Sequence, residues 1–222
     1  MYQWHFDVVT DNWEVFLDGA AVTAQLTVFA FSIAVVLGLL IALARLSRFG
    51  ALRAPATFYV EIFRSTPALV QLVWIYYALP IITGIRLDNF AAIGLGLGLH
   101  EAAYFSEIFR GGILSIDRGQ VDSAKSVGMV YYQVMWRIIL PQAVRRMIPP
   151  FMNETANLIK LTTLGSILAV YELLHAADVL ITSTYRPLEV YTATAVVFAL
   201  IIYPLIYVSR LLERYWGGRV QS

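Results

Sequence analysis

GAAVTAQLTVFAFSIAVVLGLLIALA, residues 19–44, runs for 26 positions without a charged side chain. About 20 apolar residues in a helix cross the hydrocarbon core of a bilayer, so this stretch alone is read as a membrane span. VYTATAVVFALIIYPLIYVS, residues 190–209, does the same over 20 positions. Composition agrees: the chain is 59% hydrophobic and 14% charged, against about 45–50% and about 25% in soluble domains. Too little polar surface is left for a water-soluble fold. The start, MYQWHFDVVTDNWEVF, has no basic region followed by an apolar core and a small-residue cleavage site, so the first span is expected to be retained. The absence of cysteine excludes disulfides, thiolate metal sites and cysteine nucleophiles.

Between these two spans the apolar character continues with interruptions. Ser65–Ile85 is uncharged but contains Pro67 and Pro80, and the apolar lead-in Ala56–Phe63 contains Glu61. The reading is an all-α integral membrane protein of one domain, residues 1–222. Five transmembrane helices are expected at about 20–44, 57–80, 89–114, 147–170 and 190–212. Arg45, Arg48 and Arg53 lie in one connection, Arg118, Lys125, Arg137, Arg145 and Arg146 in another, and Arg210, Arg214 and Arg219 in the tail. Lys and Arg favour the cytoplasmic side. Residues 1–19 carry Asp7, Asp11, Glu14 and Asp18 and no Lys or Arg, and the loops at 81–88 and 171–189 carry one arginine each, Arg86 and Arg186. The N-terminus is therefore expected outside and the C-terminus in the cytoplasm.

The longest cytoplasmic connection, about 115–146, contains VDSAKSVGMVYYQVMWRIILPQAV, residues 121–144. Helical spacing places Ala124 and Gly128 on one small-residue face beside Ser123 and Val127, and Asp122 near the start complements the helix dipole. Such a face admits the close approach of another protein; an ordinary interfacial helix is the plainer alternative. YYQVMWRII is amphipathic and aromatic, suited to the membrane interface. Pro141 cannot continue a regular helix undisturbed.

The order Asp122-Ser123-Ala124, three residues, Gly128, nine residues, Ile138, one residue, Leu140-Pro141 resembles the EAA loop of permease subunits of bacterial ABC importers, with Asp for Glu and Ser for the first Ala. FYVEIFRSTPALVQLVWIYYALP, AAYFSEIFRGGILSIDRGQ and ILPQAVRRMIPPFMNETANLIKLTTL are similar to the polar amino-acid permeases of the histidine, glutamine and arginine type. The likeness extends over nearly the whole chain, including the lead-in at Gly19 and Thr23. It implies the type I ABC importer permease fold, with the loop acting as a coupling helix in which Asp122, Ser123, Ala124 and Gly128 meet an ATPase. It also implies a homo- or heterodimeric permease pair, two ATP-binding subunits and an extracytoplasmic substrate-binding protein, in the bacterial inner membrane. No G-x4-G-K-[ST] loop is present, so no cofactor is expected in this chain; ATP and Mg belong on the partner ATPase.

Ionisable residues inside spans face a cavity, a partner or a pathway. Glu61, Arg64, Glu107 and Arg110 recur in two EIFR motifs near cytoplasmic span ends and read as structural ion pairs or as side chains reaching the interface. His100 and Glu101 fall near the middle of the third span, where the related permeases more often have small or amide residues, and suit either substrate binding or a structural hydrogen bond. Asn153, Asn157 and Lys160 share a polar stripe in the fourth span, with Glu154, Thr162 and Thr163 nearby. Related permeases often place Asp after this lysine; here Leu161 stands there. For a zwitterionic amino acid, Lys160, Thr162 and Thr163 would receive the carboxylate, and Glu101 with Asn157 the ammonium. Pro149, Pro150 and Gly165 would ease local unwinding. His5 and His175 are expected on the outer side, far from His100, so no metal site is expected, and no nucleophile with its base suggests catalysis. Nucleic acid is not an expected partner. Two other functions compete: a stand-alone proton-coupled secondary transporter using His100 and Glu101 as a relay, and an assembly subunit without a pathway.

Overall fold

A computed structural model describes residues 2–217, and among these every regular element is helical. A short α1 (Asp7–Asp11) precedes α2 (Trp13–Leu46), the 34-residue helix that contains the first uncharged run. Then come α3 (Gly50–Ser65), α4 (Ala68–Thr83), α5 (Asn89–Leu114), α6 (Arg118–Ser126) and α7 (Tyr131–Val134). A π segment at Met135–Ile139 leads into α8 (Leu140–Leu161), a 3-10 turn follows at Thr162–Leu168, and α9 (Leu173–Thr184) and α10 (Pro187–Gly217) complete the chain.

Helices α2 and α10 are each long and apolar enough to cross a membrane alone. Two further pairs qualify when joined across a bend: α3 with α4, at 108°, and the Tyr131–Leu168 stretch with α9, at 48°. The continuous helix expected at about 57–80 is therefore an elbow. Its cause is Pro67, which forces Thr66 into extended backbone (φ −113, ψ 143) and cannot donate to the preceding turn. Pro80, by contrast, sits inside α4.

The fourth expected stretch, about 147–170, begins earlier than its apolar character suggests. Pro141 lies in the first turn of α8, where its missing N–H costs little, and the widened π turn before it absorbs the change of register; Leu140 N donates to Met135 O. The stretch 171–189, expected as an outer loop, is mostly α9. Its start is capped by the buried Glu172, whose carboxylate accepts from Leu174 N and His175 N at 2.9 Å each. Leu173 N donates to Thr23 Oγ1 of α2 at 3.1 Å, so α9 is docked rather than loose.

At the centre, α2 lies against α5 over most of its length. Apart from Thr27 beside Leu26, its buried positions, Phe16, Gly19, Thr23, Leu26, Ala30, Ala34, Gly38 and Ala42, advance by three or four and are mostly small. Because α2 is apolar all round, a stripe of small residues rather than a stripe of apolar ones determines which side packs inward. The approach is close: a Cβ added at Gly38 would lie 2.9 Å from Phe105 Cβ and 3.1 Å from Ala102 O. Leu26, Leu72, Ile93, Leu97, Leu158 and Leu168 close the core between α2, α4, α5, α8 and the 3-10 turn.

Candidate functional site

Helix α5 carries the buried ionisable groups. Its limits follow from local signals: Asp88 caps the start, its side chain accepting from Ala91 N at 2.7 Å, and Asn89 holds the same end by donating to Leu168 O at 2.6 Å. Midway along it, Glu101 is fully buried and neither carboxyl oxygen has a hydrogen-bond partner. The Glu154 carboxyl of α8 faces it, and Asn157 Nδ2 donates to Glu154 Oε1 at 3.1 Å. A buried carboxyl left without a donor is costly unless something supplies one. A protonated Glu101 can donate to Glu154; with both ionised, the two carboxylates only accept, and the pair then suits an ammonium or guanidinium.

The structure places Asn153, Asn157 and Lys160 on one exposed stripe of α8, as their spacing predicts. Lys160 also lines a crevice between α8 and α10 with Thr163, Phe198, Ile202 and Tyr203, and no ion pair joins it to a described acid. The two threonines are committed elsewhere. Thr162, wholly buried, donates to Ile159 O at 2.6 Å, and Thr163 donates to Lys160 O at 2.7 Å, so neither hydroxyl proton is directed at a ligand. The unwinding expected near Gly165 is present as the 3-10 turn, which ends at Ala169 in the left-handed region (φ 54). His100 turns to α4, with Nδ1 2.9 Å from Gln71 Oε1. Gln71 was not singled out in the sequence, although its place four residues after Pro67 is the signal that would have found it.

The two EIFR motifs behave differently. Glu107 gathers three arginines: Arg45 of α2 at 2.7 Å, Arg110 of its own helix at 2.7 Å and Arg64 of α3 at 3.4 Å. Glu61 is exposed and joins no ion pair with a described residue. The structural ion pairs thus centre on Glu107, with Arg45 as the partner the motifs did not reveal.

The connection 115–146 projects α6 from the body. Asp117 caps it by accepting from Gly119 N, so Asp122 stands in its middle rather than near its start. The expected common face of Ala124 and Gly128 is not formed, because the helix ends before the glycine. Gly128, with φ 84, closes it: Gly128 N donates to Lys125 O at 2.9 Å and Met129 N to Ala124 O at 3.1 Å. Both bonds belong to the six-residue helix stop that needs a left-handed residue. Ala124 is buried in one apolar cluster with Ile116, Val134, Ile139, Ala143 and Met147, whereas Asp122, Ser123, Val127 and Gly128 are exposed.

Residues 34–222 match the family described as the binding-protein-dependent transport system inner membrane component. The chain belongs to that family. This permease is 39% identical over 198 residues to the octopine transport system permease protein OccM of Rhizobium meliloti, covering 84% of this chain and 80% of that protein. To the probable glutamine ABC transporter permease protein GlnM of Bacillus subtilis (strain 168) it is 34% identical over 207 residues, covering 93% and 95%. A solved structure described as an amino acid ABC transporter with histidines superposes with a TM-score of 0.90 at 31% identity, covering 96% of this chain and 100% of that one. An inward-facing MetNI methionine ABC transporter superposes at 0.68 with 18% identity, a likeness of fold. The permease therefore has the all-helical type I ABC permease fold expected from its EAA-like loop.

Proposed function

We propose that this chain is the membrane-spanning permease subunit of an ATP-driven importer of polar amino acids or their derivatives. The single observation that carries this is the full-length likeness, at TM-score 0.90, to an amino acid ABC transporter, supported by relatives named for octopine and glutamine transport. On this reading α2, the α3–α4 elbow, α5, α8 with its 3-10 turn, and α10 are five spans of one domain. The basic connections lie in the cytoplasm and residues 1–19 outside, in a bacterial inner membrane. A second permease subunit completes the path, two ATP-binding subunits holding ATP and Mg dock below, and a substrate-binding protein docks above. The exposed residues Asp122, Ser123, Val127 and Gly128 meet the ATPase, while Ala124 holds α6 to the body.

The buried Glu101, facing Glu154, to which Asn157 donates, receives the substrate's ammonium or guanidinium. Lys160, on the same stripe as Asn153 and Asn157, receives its carboxylate. Uptake of labelled glutamine, arginine and octopine by cells carrying Glu101→Gln or Asn157→Ala tests this. A rise of about tenfold or more in apparent KM is expected, as for loss of a charge-assisted hydrogen bond; wild-type affinity and selectivity in both variants would sink the pocket. Separately, the permease should co-purify with an ATPase stimulated by the external binding protein. Uptake driven by a proton gradient in liposomes lacking any ATPase would favour the secondary-transporter alternative instead.

A further inference from the structure

The elbow between α3 and α4 leaves backbone acceptors without donors. In an unbroken helix Phe63 O would accept from the N–H of residue 67, but that residue is Pro67. Thr66 O is also cut off, because Val70 N and Gln71 N both donate to Pro67 O. One side chain replaces the missing donors. Gln71 Nε2 lies 2.9 Å from Phe63 O, 3.1 Å from Thr66 O and 2.6 Å from Thr66 Oγ1. The two carbonyls can only accept, so the Gln71 amide has one permitted orientation, with its nitrogen toward the elbow and its oxygen pointing away.

That oxygen is the group His100 meets, at 2.9 Å. Gln71 Oε1 is an acceptor only, which makes His100 Nδ1 the donor. The ring is nearly buried, at 6% exposure, and leans on Tyr104 with centroids 5.1 Å apart. Tyr104 in turn lies 5.5 Å beneath the Arg64 guanidinium in the last turn of α3. Consecutive turns of α5 therefore hold both arms of the elbow, and the residue after His100 is the unpartnered Glu101.

We propose that His100 is a positioning residue: its Nδ1–H orients Gln71, and Gln71 caps the broken span and sets the angle between α3 and α4. The elbow is thereby tied to the turn of α5 that carries Glu101. This goes beyond the transport reading and does not depend on it, and its test needs no substrate.

The chain has no cysteine, so cysteines introduced at the exposed Phe58 and Tyr77 carry the only spin labels. Labelled full-length chain, diluted about tenfold with unlabelled chain in lipid nanodiscs, reports the distance across the elbow. One narrow distribution is expected for the wild type. His100→Leu keeps the bulk but removes the donor and should widen the distribution at least about twofold; His100→Gln, which keeps a donor, should restore it. An unchanged distribution in His100→Leu, or equal widening in both variants, overturns the proposal, the second outcome because it marks a packing role. An independent readout requires no folded variant: in the nitrogen-15 spectrum of the wild-type chain at pH 8, His100 should be the Nδ1-protonated tautomer. The Nε2-protonated tautomer would overturn the proposal equally.

Discussion

Glu107 and its three arginines permit a prediction about which contact holds the helices together. Arg45 reaches Glu107 from α2 at 2.7 Å with side chains only 13% and 23% exposed, whereas Arg64 reaches it from α3 at 3.4 Å with 46% of its side chain exposed. Breaking a fully buried pair costs about 3–5 kcal/mol, and exposed pairs contribute about 0–1 kcal/mol. The Arg45 contact falls between these limits, so a coupling of about 2 kcal/mol is expected. The longer, wetter Arg64 contact should give under about 0.5 kcal/mol. Arg110 lies three residues on in the same helix and should add about 0.3–0.5 kcal/mol without joining helices. Double-mutant cycles of Arg45→Met and Arg64→Met, each with Glu107→Gln, isolate the terms. Unfolding free energies by SDS titration of the chain in mixed micelles provide the measurement. Equal coupling for Arg45 and Arg64 would refute the argument that burial and distance, rather than the shared EIFR motif, decide the contribution.

Three glycines give further tests. Gly38→Ala should destabilise the chain by about 1–3 kcal/mol through overpacking against Phe105, whereas Gly111→Ala, whose Cβ would have nothing within 4 Å, should stabilise it by about 0.5–1 kcal/mol; matching shifts in the same SDS titration would contradict the packing of α2 on α5. At Gly128, Ala should cost about 1–2 kcal/mol for its left-handed backbone. Gly128→Arg should cost little more, since a Cβ there meets nothing within 4 Å and the residue is exposed, yet it should abolish uptake by obstructing the ATPase; transport by the Arg variant equal to that of the Ala variant would remove the contact assigned to this turn.

Much of this architecture was legible because hydrocarbon imposes simple length and charge rules. A helix was expected at 89–114, and α5 runs from Asn89 to Leu114, since Asp88 supplies a clear cap; with Glu101, Glu107 and Arg110 along it, it is not among the helices apolar enough to cross a membrane by themselves. The stripe of Asn153, Asn157 and Lys160 followed from helical spacing alone. The elbow was harder to read, as Pro67 and Pro80 interrupt similar apolar sequence but only Pro67 follows an extended residue and breaks the helix. Gly128 was counted on a helical face because four-residue spacing suggests one; its place after Lys125 and Ser126 equally suits a helix stop, and the backbone adopts the stop. The paired EIFR motifs mark the limit of local reading. Glu61 and Glu107 are each followed by Ile-Phe-Arg, but only Glu107 lies beside Arg45, a residue 62 positions away.

Burying Ala124 has a mechanical consequence. Ala124 shares one buried apolar cluster with Ile139, Ala143 and Met147, so α6 is seated on the body rather than tethered to it, and a push on its tip would be passed through that cluster toward the start of α8. Phe151, one turn further, stacks on Phe105 at 4.7 Å, and the next turns of these two helices carry Glu154 and Glu101. Under the proposed function, a push on α6 would therefore arrive as shear between the two acids.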